Sequence, residues 1–158
     1  MRDLTNNYNN NKAKLSFSNK GFIIHTRNND KLIKWENIEL IFLINSVPLD
    51  GEYYNKEFRI YMNTEPIYLK PEKKSFLEKI FPPPKRKYPL VRIDDYYFIN
   101  FITFYSEISN HLIKNKISDK IINEPLKTLK IHLLYDKGSF INDQKINNIK
   151  SQAIKINE

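Results

Sequence analysis

Few side chains in this sequence stand where chemistry would need them. His25, His111 and His132 are far apart, and none belongs to an HxxxH or HExxH arrangement, so a metal centre is not expected. With only Gly21, Gly51 and Gly138, neither a phosphate-cradling loop nor a dinucleotide fingerprint can be assembled. A G-x-S-x-G elbow for a nucleophilic serine is also missing. The chain has no cysteine, which excludes thiol nucleophiles, disulfides and cysteine-based zinc or iron–sulfur sites. Asp94 and Asp95 are adjacent carboxylates, but neighbours at a helix start point in different directions, and a helix-capping role accounts for them without catalysis. Acid and base groups need only meet in space. The expectation is therefore a protein that is not an enzyme, with no catalytic residue, no cofactor and no metal.

Surface chemistry offers more. The 158 residues carry a formal net charge of +8, which suits phosphate or an anionic surface. The bias of 21 Lys to 5 Arg argues against base readout, which prefers arginine. Usage of 23 Ile, 21 Lys and 20 Asn against two Ala points to a low-GC genome as the source of the lysine. The charge divides into +3 for residues 1–79 and +5 for residues 80–158, spread rather than concentrated. Within FPPPKRKYP, a stiff proline-rich connector, Lys85, Arg86 and Lys87 form a basic run. In the loop from Val47 to Asn55, Tyr53 and Tyr54 are aromatics outside the expected core. Exposed loop aromatics mark a protein partner more often than a base stack. These five residues, Tyr53, Tyr54, Lys85, Arg86 and Lys87, are the candidate partner-binding set.

The elements that would position them follow from periodicity. Residues 1–12 are polar and Asn-rich, a flexible tail. Apolar and polar residues alternate over 15–18, and Phe22 to Thr26 reads as a second strand, with Gly21 free to take a positive φ in the turn between them. Leu32 to Trp35 is a short third strand. Glu36 to Asn45 is apolar at many positions, and its β-branched content favours a strand buried on both faces, although periodicity alone also allows a short helix. Residues 58–62 and 67–69 continue the antiparallel meander. Ser75 to Phe81 can make a helical turn or two before Pro82-Pro83-Pro84 ends it. Leu90 to Ile93 is a further candidate strand. A long helix is expected from about Asp95 to Lys116, with Tyr97, Phe98, Phe101, Ile102, Tyr105, Ile108 and Leu112 on its buried face. Beyond it, Leu129 to Tyr135 suits a strand and Ile141 to Ile156 a weakly amphipathic helix. The N-terminus shows no signal-peptide h-region, and the longest apolar stretch, Ile38 to Leu49, is too short to span a bilayer. A cytoplasmic protein is expected.

The stretch LSFSNKGFIIHTRNNDKLIKWENIELIFLI, with its glycine turn and IxWxxIxxI segment around Trp35, Ile38 and Ile41, resembles bacterial proteins with a pleckstrin-homology-like (PH-like) fold. The resemblance implies an α+β chain: a bent antiparallel sheet or barrel of about seven strands over residues 13–117, capped by one long helix, with 118–158 as a C-terminal extension packed on it. Such domains bind lipids, peptides or proteins. Their lipid-binding versions use a basic loop between the first two strands, and here that loop is Ser18-Asn19-Lys20-Gly21, with one lysine. The first expectation is a non-catalytic protein-binding domain of the immunity type, which would bind and neutralise a cognate bacterial toxin. The alternative is a peripheral binder of anionic membrane lipid or nucleic acid through a basic surface.

Overall fold

The computed structural model describes residues 12–27, 29–46, 55–70, 74–84, 88–113, 117–125, 128–140 and 142–155. Its strands are β1 (Lys14–Ser18), β2 (Gly21–His25), β3 (Asp30–Lys34), β4 (Ile38–Ser46), β5 (Asn55–Met62), β6 (Ile67–Tyr68), β7 (Leu90–Asp94), β8 (His132–Asp136) and β9 (Ile154–Lys155). Its α-helices are α1 (Phe76–Ile80), α2 (Phe101–His111), α3 (Asp119–Ile122) and α4 (Gln144–Gln152), and a 3-10 turn at Trp35–Asn37 links β3 to β4. The chain is α+β. The strands form a four-stranded sheet, β1-β2-β3-β6, and a five-stranded sheet, β7-β5-β4-β8-β9, with no closed barrel among the described residues. Among the described residues, seven strands precede α2 and two follow it. Among the described strands every pairing is antiparallel except that of β8 with β9, and an isolated parallel bridge joins Ala13 to Phe98.

The register follows from alternation. Leu15 and Phe22 on paired strands, with Ile24 and Ile33, face a main core that also takes Phe58 and Ile60 of β5, and Phe104 and Ile108 of α2. An aromatic series runs through it, with Phe22 against Trp35 at 5.2 Å, Phe22 against Phe104 at 5.0 Å and Phe58 against Phe104 at 5.0 Å between ring centroids. The Trp35 indole N–H donates to the Ser18 carbonyl at 2.9 Å, and its ring stacks on His111 at 4.7 Å. Trp35 thus ties the first hairpin to the last turn of α2. β4 is buried on both faces, as its composition requires. Ile41 and Leu43 enter the main core, while Leu40, Phe42 and Ile44 enter a second core with Leu133, Phe140 and Ile146.

Three local expectations are corrected. The long helix runs over Phe101–His111 and starts later than Asp95, because Asp94 closes a turn in front of it, its Oδ1 accepting the amides of Tyr96 at 2.9 Å and Tyr97 at 2.7 Å; the expected end at Lys116 lies outside the described residues. The side chain of Asn100, at the N-cap position, accepts instead from the Leu15 amide at 3.2 Å. The buried stripe is Phe101, Phe104, Tyr105 and Ile108, and Tyr97 and Ile102 are exposed. Gly21 does not take a positive φ; only Gly138 does among the described residues. Gly21 is needed because a Cβ there would overlap the Ile33 carbonyl on the facing strand.

The C-terminal residues are integral to the second sheet. β8 pairs with β4, and α4 covers the outer face through Ile146, with Asp143 capping it by accepting from the Ile146 amide at 3.1 Å. Ile122, Leu129 and Leu134 belong to the main core. Buried Glu39 fastens this region to β4, accepting from Ser139 Oγ, from Asn63 Nδ2 at 2.8 Å and from Lys137 Nζ at 3.4 Å.

Candidate functional site

Tyr53, Tyr54, Lys85, Arg86 and Lys87 all lie outside the described residues, as do Lys114 and Lys116. The structure instead directs attention to the segment directly before the basic run. Ser75 caps α1 with a complete capping box: its Oγ accepts from the Glu78 amide at 3.2 Å, and Glu78 Oε2 accepts from the Ser75 amide at 2.9 Å. The helix closes with the Phe81 amide donating to the Leu77 carbonyl at 2.8 Å, and prolines follow at once.

This small helix holds its shape locally and leaves its apolar side chains in water. Phe76 is 76% exposed, Leu77 68%, Ile80 50% and Phe81 74%. They sit at spacings of one, four and five residues, along one side of the helix. None belongs to either apolar core. A helix of five residues gains little from propensity alone, so cover over its apolar side is what would stabilise it. Covering each side chain contributes about 1–2 kcal/mol, a strong drive toward a contact. Contiguous exposed apolar patches are uncommon on globular proteins and are a usual feature of interaction surfaces.

The charge is local too. Residues 70–87 contain seven basic and two acidic side chains, so +5 of the chain's +8 lies in eighteen residues. Dividing the chain at residue 79 cuts through this cluster and makes the charge look dispersed. Lysines at 70, 73 and 74 precede the apolar group, and Lys85, Arg86 and Lys87 follow it.

Two other constellations resemble chemical sites. On the outer face of β1-β2-β3, Ser16 Oγ and His25 Nε2 share a hydrogen bond at 2.7 Å, and His25 Nδ1 lies 3.2 Å from Asp30 Oδ2. That is the hydroxyl–imidazole–carboxylate connectivity of a nucleophilic site. Acyl transfer also needs donors aimed at a developing oxyanion. Ser16 stands in mid-strand opposite Ile23, where its backbone belongs to the sheet ladder. The trio forms a polar ladder across β1, β2 and β3. The sequence carries no signal for it, because the three residues meet only through strand pairing.

The second is a cleft of about 490 Å³ lined by Lys56, Asp95, Glu124 and apolar residues including Phe101 and Ile122. Burial lowers the Lys56 pKa from its ordinary value, against the opposing pull of Asp95 and Glu124. Burial raises Asp95, opposed by the hydrogen bond from the Lys56 amide at 3.2 Å. Lys56 Nζ donates to the Ile122 carbonyl, and Glu124 Oε2 is 3.2 Å from His132 Nε2. These groups spend their hydrogen bonds on the frame and fasten β5 to the chain after α2. Asp94, the other member of the expected pair, is likewise raised by burial and holds a turn. Among the described residues, no group of three or more His, Asp or Glu is placed to hold a metal ion, and no helix is long and apolar enough to cross a membrane. Comparisons with protein-family models, curated proteins and solved structures find no match to this chain.

Proposed function

We propose that this chain is a non-catalytic binding protein and that residues 74–84 are its contact element. The observation that carries this reading is the exposure of Phe76, Leu77, Ile80 and Phe81 on a helix whose described hydrogen bonds are internal to the segment. The hydroxyl–imidazole–carboxylate trio and the charged cleft are bonded into the frame, which favours structural roles for both.

A narrower reading comes from the PH-like resemblance. In it the chain is a cytoplasmic immunity protein that binds and neutralises a cognate toxin. Seven described strands ahead of the α2 helix, and Trp35 in the 3-10 turn directly after β3, support that reading. Tyr53 and Tyr54 would then add to the contact surface. The second reading, a peripheral binder of an anionic membrane or nucleic acid, is favoured by the +5 charge over residues 70–87.

The test of the contact element compares the full chain with its Leu77→Glu/Phe81→Glu variant in affinity capture from native lysate at about 0.15 M salt, which screens weak charge contacts. A ligand retained by the parent and lost from the variant is the expected result. Equal retention by both would remove the 74–84 segment from the binding surface.

A further inference from the structure

We infer that the surface covered by α1 is an anionic lipid bilayer, with Phe76, Leu77, Ile80 and Phe81 seated at the boundary between headgroups and acyl chains. The inference rests on the docking reading and leaves Tyr53 and Tyr54 to any protein partner.

Charge complementarity selects the occupant. The apolar side chains stand in the middle of the segment, and basic residues lie on both sides of them in sequence. A bilayer surface offers that order, with apolar depth under the centre and anionic headgroups around it. Lys74 and Lys79 are exposed beside the apolar group, and Glu78 is held in the capping box. The four side chains are half or more exposed, which fits insertion into a fluid phase without rearrangement of the cores. At five residues α1 is far too short to span, so it would lie in the interface. Phosphate recognition by the β1–β2 turn has no part in this, since the Ser18 hydroxyl there donates to the Gly21 carbonyl and the Lys20 amide donates to Ser18 Oγ. A nucleic acid would use the charge and leave the phenylalanines and aliphatic side chains uncovered unless bases stacked on the rings.

The chain lacks cysteine, so Phe81→Cys in the full-length protein takes a single environment-sensitive dye. The probes are vesicles of phosphatidylcholine alone and vesicles with about a third phosphatidylglycerol, an anionic headgroup that basic segments favour. The expected result is a blue shift and vesicle co-sedimentation with the anionic vesicles only. Lys74→Gln/Lys79→Gln should weaken the partition several-fold, as should salt of about 0.5 M. Leu77→Glu should weaken it at least tenfold while the unfolding temperature stays unchanged. No shift with anionic vesicles overturns the inference, as does an equal shift with uncharged ones. A shift that grows with protein concentration without lipid would assign the surface to a second copy. Binding of a single-stranded oligonucleotide that displaces the vesicles would assign it to nucleic acid. Quenching of the dye by aqueous iodide in the free protein separates the two levels. A dye quenched in solution but silent toward vesicles overturns the bilayer alone, whereas a dye shielded from iodide overturns the docking reading as well.

Discussion

Gly21 shows how one residue type can be right for a reason its neighbours in sequence do not reveal. Asn19-Lys20-Gly21 has the composition of a turn that needs a positive φ, yet the glycine begins β2 and is required by the chain facing it. A methyl group at this point would meet the carbonyl of Ile33 and the Cα of Lys34, which are backbone atoms fixed by the β2–β3 pairing. Gly138 is the opposite case, with φ +89° and open space around it. Gly21→Ala should therefore destabilise the protein by about 2–3 kcal/mol, the range of overpacking in a rigid site. Gly138→Ala should cost about 1 kcal/mol, the strain of a left-handed alanine. Urea unfolding of both variants measures the difference, and a smaller loss for Gly21→Ala would refute the close-approach account.

The α2 helix begins later than its apolar spacing predicts. Spacing of three and four puts Ile102 on the same face as Phe101 and Tyr105, and apolar content around 97–102 extends the pattern backwards. The turn closed by Asp94 starts the helix later, and Phe104 enters the core where Phe22 and Phe58 meet it. Phe104→Ala should cost about 3–5 kcal/mol as a large-to-small change in a packed core. Ile102→Ala, on the exposed side, should stay within about 0.5 kcal/mol. Thermal or denaturant unfolding checks both, and equal losses would return Ile102 to the buried face. By contrast β4 was half legible from its residues: its apolar, isoleucine-rich content favours a strand covered on both faces, while periodicity alone also allows a short helix, and pairing with β5 and β8 decided between them.

For the whole molecule, the question is whether residues 118–158 are an addition or a part. Ile122, Leu129 and Leu134 share the main core with Leu15 and Phe58, and β8 occupies the edge of β4 that would otherwise be bare. Leu40, Phe42 and Ile44 depend on Leu133, Phe140 and Ile146 for cover. A chain ending at residue 117 should thus fail to fold cooperatively and should aggregate through that edge. Size-exclusion chromatography and circular dichroism of the 1–117 fragment would show it, and a monomer with a sharp unfolding transition would establish 13–117 as an independent unit.

Sequence alone settled what depends on near neighbours along the chain. Alternation pointed to β1 and to the second half of β5, apolar content to β4, and the prolines at 82–84 to the end of a short helix within 75–81, while the capping box that starts α1 was seen only in the structure. The net positive charge was legible too, although its concentration over residues 70–87 emerges only when the window is centred on α1. Tertiary structure decided what depends on distant partners. It joined β6 to β3 and β8 to β4, brought Ser16, His25 and Asp30 into line, and placed the C-terminal residues inside both cores. It also decided that Phe76, Leu77, Ile80 and Phe81 lie outside those cores. An apolar residue in a short helix reads the same along the chain whether it is buried or bare. Its exposure is set by which surfaces the rest of the chain brings to it, and here the described residues bring none that covers it.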